Sequence, residues 1–145
     1  MMDWLNEVCS KVPESYTKIL LFNTLVSLRP QESISSIHLI KENQNDYLQD
    51  NKLILQHYKY PAVFFRRTKK AYTSVIIRPV LDLAHESGNH SYNALRLMIN
   101  RHSLDMNMSY CRKIFATHLR NDGIGPEIVD LLQGRTPQSI FAKHY

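Results

Sequence analysis

The sequence of 145 residues contains only two cysteines and four glycines. Cys9 and Cys111 lie far apart and fit no zinc-binding spacing, which favours a reduced intracellular setting over a disulfide-stabilised secreted one. The chain has no apolar run of about 18 residues, so no membrane span is predicted, and no charged-then-apolar leader that would indicate secretion. No repeat or low-complexity tract is visible. These absences predict one domain over residues 1–145.

Apolar residues make up 43% of the chain, which is enough for a core, and the formal net charge is +5. A positive charge favours a polyanionic partner such as nucleic acid. Many soluble proteins are equally basic, so the kind of partner has to be inferred from motifs.

The last thirty-five residues, 111–145, read as three short helices. The first carries an apolar stripe at helical spacing and ends near Gly123. The second begins at Pro126 and ends near Gly134. Thr136 is a suitable N-cap for the third. The apolar residues expected to face inward are Cys111, Ile114, Phe115 and Leu119 in the first helix, and Ile128, Val129, Leu131 and Leu132 in the second.

Three features of this segment form an ordered motif: Arg112–Leu119 (RKIFATHL), Leu131–Arg135 (LLQGR), and Tyr145 ten residues further on. Together they resemble the C-terminal half of the catalytic domain of tyrosine recombinases, the phage integrase superfamily, and most of all its archaeal branch. The resemblance implies that Arg112 is the second active-site arginine and that Tyr145 is the nucleophile. It also implies that Arg135 replaces the family's usual His or Trp.

An upstream element, Leu28–Glu32 (LRPQE), stands where one predicted helix ends and Pro30 begins the next. Arg29 therefore lies at a helix junction, near backbone N–H groups that bind anions well. Read alone, it is a solvated surface arginine. The element resembles the part of the family motif that carries the first active-site arginine, with Glu32 as the acidic residue that braces it.

The runs 63–65 and 72–77 are rich in β-forming residues and predict a hairpin with the basic turn Arg66–Lys70 at its tip. The family carries an active-site lysine on such a hairpin. Lys69 is the best match, and Lys70 and Lys59 remain alternatives; without the flanking motifs this is a solubilising turn. Residues 53–60 fit either a strand or a helical turn.

Helical spacing further predicts helices over residues 3–12, 14–28, 79–87 and 91–102, and one from Pro30 through Ile40. The expected fold is therefore α+β, mostly helical, with a small antiparallel hairpin or three-stranded sheet. The resemblance implies that it is the tyrosine recombinase catalytic fold.

The resemblance implies a chemistry without metal, ATP or other cofactor. Arg29 and Arg112 clamp the scissile phosphate, Tyr145 attacks it and Lys69 protonates the leaving oxygen. The sequence departs from the family pattern at Ser109, where relatives carry a better proton carrier. We expect either some loss of rate or an assisting role for Lys113 or His144.

Double-stranded DNA is the expected partner, inside the cell and at the nucleoid, with no membrane contact. The resemblance implies a tetramer on paired DNA sites, with a monomer in solution as the alternative. We expect the DNA-clamping domain of relatives to be missing before Met1, and their tail to be missing after Tyr145, which fits a split integrase gene of a mobile element or a truncated chain. The expected contacts to the DNA backbone are Arg66, Arg67, Lys70, Lys113 and Arg120.

Two other functions fit the same residues. Residues 115–145 also resemble a helix-turn-helix, so the chain could hold DNA without cutting it. The third hypothesis is a decayed recombinase, which keeps the fold and binds the phosphate but no longer catalyses the reaction. Ser109 and the chain end suggest it.

Overall fold

The computed structural model describes residues 1–43, 46–49, 51–67 and 69–135. The helices are α1 (Met2–Lys11), α2 (Glu14–Val26), α3 (Pro30–Lys41), α4 (Pro61–Phe64), α5 (Arg78–Glu86), α6 (Tyr92–Arg101), α7 (Ser109–Asn121) and α8 (Pro126–Leu132). The strands are β1 (Leu48–Gln49), β2 (Ile54–Leu55), β3 (Phe65–Arg66), β4 (Lys69–Lys70) and β5 (Ser74–Val75), with a 3-10 turn at His57–Lys59. The predicted α+β, mostly helical class is confirmed. The third C-terminal helix, expected from Thr136, lies outside the described residues.

Helix α2 is the centre of the core and packs against α1, α3, α5 and α7. Ile19, Leu20 and Phe22 are fully buried on it, and burial of each such side chain contributes about 1.5–3 kcal/mol. No helix in the described ranges is long and apolar enough to cross a bilayer. Because α2 contacts both α3 and α7, it brings the start of α3 and the face of α7 to one end of the core.

The junction between α2 and α3 is fixed by buried polar contacts. Ser27 has a left-handed backbone, with φ 56°. Asn23 donates from its amide nitrogen to Leu28 O at 2.8 Å and to Ser33 Oγ at 2.7 Å. Hydrogen bonds to buried groups are costly to lose, so these contacts hold the short turn that carries Arg29 in one conformation.

The strands pair differently from the expectation. The two β-rich runs do not pair with each other; residues 54–55 pair with Ser74–Val75 and with β1 in an antiparallel three-stranded sheet. A smaller hairpin joins β3 to β4. Pro61 begins the short helix α4, because a proline is favoured in the first turn of a helix, and α4 takes up most of the run predicted as a strand. The basic turn is still the tip of a hairpin.

The expectation for α8 was also partly wrong. Val129 is fully buried, but Ile128 and Leu131 are 54% and 59% exposed. The helix has only seven residues, so a single narrow face meets the rest of the described chain. The apolar spacing predicted the helix correctly and the width of its buried face incorrectly.

A chain of polar side chains crosses the interior beside the three-stranded sheet. The Tyr47 hydroxyl donates to Ser36 Oγ at 2.7 Å and lies 2.8 Å from His57 Nδ1, while His57 Nε2 lies 2.8 Å from Ser74 Oγ. His57 is fully buried, and burial lowers its pKa from 6.5 to about 3. A neutral imidazole can satisfy both neighbours, since one ring nitrogen donates and the other accepts.

Acid should therefore destabilise the protein through His57. In the unfolded chain the imidazole takes up a proton near pH 6.5, and in the folded protein only near pH 3. The stabilisation that neutral His57 contributes is therefore fully present above pH 6.5 and is lost as the pH falls. The expected loss is about 1.4 kcal/mol per pH unit in that window. Urea unfolding of wild type and His57→Gln at several pH values measures it. His57→Gln should flatten the slope, whereas the exposed control His118→Gln should keep it; equal slopes in all three proteins would refute the assignment to His57.

Candidate active site

Arg29 is the N-cap residue of α3, and Glu32 in the first turn holds it from two sides. Glu32 accepts from the Arg29 backbone N–H at 3.1 Å and from its Nη1 at 2.6 Å. The Glu32 side chain is only 2% exposed. The brace expected from the sequence is thus present as a contact. The remaining terminal nitrogen, Nη2, is buried and has no hydrogen-bond partner within the described residues.

Arg112 lies on α7 and is held by main-chain carbonyl groups. Its Nε donates to Ser27 O at 3.0 Å, and its Nη2 donates to Gln133 O at 2.6 Å. A guanidinium has five N–H donors, so three of them have no protein partner in the part of the chain that the structure describes. Because both acceptors are uncharged, the positive charge of Arg112 is not cancelled by a direct ion pair there.

Arg135 follows α8 and is half-exposed. Its backbone N–H donates to Asp130 O at 2.8 Å, and its Nη1 lies 3.6 Å from Asp130 Oδ1. The pKa of Arg112 is lowered to about 10. Burial is the main cause, and the neighbouring positive charges of Arg135 and Arg29 add to it. The Arg112 guanidinium also donates to the carbonyls of Ser27 and Gln133, which stand two residues before Arg29 and Arg135. The structure therefore places the three arginines in one positive region, and Arg112 stays protonated at neutral pH.

Gln133 is a residue of this site that the sequence did not single out. Its side-chain nitrogen donates to Ser27 Oγ at 2.7 Å and to Arg112 O at 2.8 Å, and the residue is 2% exposed. It stands directly after the last residue of α8, where helical periodicity no longer indicates burial. The sequence signal that could have pointed to Gln133 was the position of a polar residue between an apolar helix and Gly134.

Gly134 connects the arginines to the basic hairpin. It has a positive φ of 63°, and a Cβ built on it would lie 2.9 Å from Ala71 N and 3.0 Å from Ala71 Cα. Only glycine allows so close an approach at that φ. Ala71 directly follows β4, so the end of α8 packs on the base of the hairpin that carries Lys69.

Lys69 is exposed on β4, opposite Arg66 on β3. Arg67 is exposed at the turn, and the Lys70 ammonium lies 5.9 Å from the centre of the Phe65 ring. The alternative Lys59 lies in the 3-10 turn and donates to Asp46 O at 3.3 Å, a contact to a loop carbonyl. The hairpin therefore exposes four cations around its tip, with Arg66 and Lys69 paired across the strands.

The remaining predicted residues lie on α7 or beyond it. Ser109 is the first residue of α7 and is exposed, one helical turn before Arg112. Lys113 is exposed over the Tyr110 ring, and Arg120 is exposed near the helix end. His144 and Tyr145 lie outside the described residues, so the roles expected of them stay predictions.

An apolar groove of about 730 Å³ opens between α1, α2 and α7, and its lining includes Leu5, Leu21, Leu25 and Phe115 but none of the three arginines. It offers few donors to an anion. The arginine region differs in this respect, because the buried Nη2 of Arg29 and three N–H groups of Arg112 have no hydrogen-bond partner among the described residues. These groups suit a phosphate, which guanidinium groups bind in a bidentate manner.

Comparison with known families gives one result. The family model described as archaeal phage integrase matches residues 19–145, a range that contains every residue of the site. No curated protein and no solved structure matches the chain significantly. The match agrees with the resemblance seen in the motifs, and it indicates a role in DNA integration that requires contact with DNA.

Proposed function

Because the chain belongs to the archaeal phage integrase family, we propose that it cuts and rejoins DNA strands in integration and excision through a covalent bond to Tyr145. The observation that supports this proposal is that the Arg112 guanidinium donates to the carbonyls of Ser27 and Gln133, which stand two residues before Arg29 and Arg135. Like charges repel, so the fold holds the three arginines together at a cost. A bound phosphodiester would offset that cost.

In the proposed step the Tyr145 hydroxyl gives its proton to solvent as its oxygen attacks the phosphorus, and the bond between phosphorus and the 5′ oxygen breaks. Lys69 gives a proton to that oxygen as it leaves, which yields a 3′-phosphotyrosyl link and a free 5′-hydroxyl. Arg29 and Arg112 stabilise the charge that gathers on the phosphate oxygens in the transition state. The covalent link conserves the bond energy, so religation to another strand needs no ATP.

The proposal needs no metal, because the guanidinium groups supply the positive charge. Of the three arginines, Arg29 pairs with Glu32 and Arg135 lies near Asp130, whereas Arg112 is held by neutral carbonyls. Arg112 therefore brings the least compensated charge to the phosphate. We assign it the main part of transition-state stabilisation.

The hairpin supports double-stranded DNA as the substrate. Arg66, Arg67, Lys69 and Lys70 are exposed around the tip of one hairpin, and the contact between Gly134 and Ala71 joins its base to the arginine region. Cations in such a row bind phosphates of the backbone, so binding should weaken steeply with salt. Assembly into a tetramer on paired sites is part of this proposal.

Covalent capture tests the proposal. The chain is mixed with nicked duplexes from a randomised library, in EDTA and without ATP, and complexes that survive denaturant are isolated. We expect a protein–DNA adduct carried by the strand on the 5′ side of the break, with a free 5′-hydroxyl on the other product. Salt-sensitive binding without any adduct would reject the reaction and leave a DNA-binding protein or a decayed recombinase.

A further inference from the structure

We propose that Gln133 is a positioning residue that holds the Arg112 guanidinium in the orientation that cleavage requires. The proposal rests on the proposed function and deepens it. Gln133 and Arg112 exchange two hydrogen bonds: the Gln133 amide donates to Arg112 O at 2.8 Å, and Arg112 Nη2 donates to Gln133 O at 2.6 Å. The side chain of each residue thus binds the main chain of the other.

Ser27 completes a triangle. Its carbonyl oxygen accepts from Arg112 Nε at 3.0 Å, and its hydroxyl oxygen accepts from the Gln133 amide at 2.7 Å. The three residues come from the end of α2, from α7 and from the end of α8. Because Ser27 has a left-handed backbone fixed at the end of α2, it is a rigid reference point for the guanidinium.

The triangle determines which donors of Arg112 remain available. Nε and one N–H of Nη2 are bound to carbonyls. Because a guanidinium is planar, these two bonds fix the plane of the other three N–H groups, which have no partner in the described part of the chain. A guanidinium that rotates loses its bidentate geometry, and misplacement by about 1 Å can cost a hundredfold in rate. Gln133 therefore acts on the reaction through Arg112.

The competing explanation is that Gln133 only joins the helix ends and stabilises the fold. Gln133→Met separates the two explanations, because it keeps the size of the side chain and removes both donors. Thr24→Val is the matched control: Thr24 is also buried, donates to Leu20 O on α2 and hydrogen-bonds the Cys111 thiol on α7, so it joins the same two helices without a hydrogen bond to Arg112.

Three quantities are compared at a temperature at which every variant is folded: the melting temperature, the Kd for uncleaved DNA and the single-turnover rate at saturating DNA. Gln133→Met should lower the rate by about 10- to 100-fold, while Kd changes by less than about threefold. Thr24→Val should lower the melting temperature and leave the rate unchanged. If Gln133→Met behaves as Thr24→Val does, the positioning role is refuted.

A double mutant tests whether the effect passes through Arg112. Lysine at position 112 keeps the charge but cannot bridge Ser27 O and Gln133 O. In the Arg112→Lys background, Gln133→Met should lower the rate by less than about twofold further, because the geometry it protects is already gone. Losses that multiply would show that Gln133 acts independently of Arg112.

A readout without cleavage keeps this proposal separate from the proposed function. In NMR spectra of protein with isotope-labelled arginine, a guanidinium held at Nε and Nη2 should show slow rotation and distinct Nη signals for Arg112. Gln133→Met should merge those signals. If wild type forms no DNA adduct but the signals merge in the variant, the proposed reaction fails and the positioning contact stands. Gln133→Met keeps both carbonyl acceptors of Arg112 and removes only the amide bonds to Ser27 and to Arg112 O. Signals that are unchanged in the variant therefore refute the positioning role of the Gln133 side chain.

Discussion

Replacing Arg112 with glutamine should lower the rate of strand cleavage by about a thousandfold at saturating DNA, the loss typical of one removed oxyanion donor. The guanidinium is partly buried, and within the described residues its direct contacts are with carbonyl dipoles and not with a carboxylate. Its unpaired N–H groups can therefore strengthen their bonds as charge gathers on the phosphate. A neutral amide cannot replace that charge.

Non-specific DNA binding should change much less in Arg112→Gln. One lost phosphate contact lowers the slope of log K against log salt by about 0.9. The control is Arg101→Gln, an exposed arginine at the end of α6, which should leave cleavage unchanged. Single-turnover cleavage and binding titrations are measured for both. Equal losses of binding and cleavage in Arg112→Gln would show that Arg112 only contacts the DNA backbone and has no separate role in cleavage.

Tyr145→Phe should abolish the covalent adduct completely and leave DNA affinity within about twofold of wild type. The change removes one hydroxyl, which is the atom that would carry the phosphoryl group. Adduct formation on nicked duplexes is measured by denaturing electrophoresis. In wild type, trypsin cleavage after Lys143 should leave a peptide that begins at His144 and contains Tyr145 attached to the DNA, and mass spectrometry identifies it.

Tyr72→Phe is the matched control for the nucleophile. Tyr72 is 50% exposed and follows the basic hairpin, so its hydroxyl is the strongest competing phenol in the described chain. Adduct formation should be unchanged in this variant. Loss of the adduct in Tyr72→Phe, together with its persistence in Tyr145→Phe, would identify Tyr72 as the nucleophile in place of Tyr145.

Local chemistry made the helices predictable. Prolines at the first turn and apolar residues at helical spacing lie within a few neighbours of each other along the chain, and the predicted helix starts agree with the structure to within two residues for α1, α2, α3 and α7. Strand pairing was not predictable in the same way. Ser74–Val75 pairs with Ile54–Leu55, a contact between segments about twenty residues apart that no local pattern encodes.

The residues of the site also differ in whether the sequence could predict them. The ordered motif identified Arg29, Glu32, Arg112 and Arg135, because their spacing along the chain is itself the signal. Gln133 gave no such signal, since its two donors bind atoms of α7 and of the α2 end. Burial of a polar side chain depends on what surrounds it in space.

The sequence by itself determined the helices, the positive charge, the family motif and Tyr145 as the nucleophile to test. Only the tertiary structure decided that Arg112 is held by the carbonyls of Ser27 and Gln133 and that Gly134 packs on the hairpin base. The physical reason is the range of the interactions. Helix propensity and capping act over about four residues, whereas the bonds that orient the guanidinium join segments 85 and 21 residues apart.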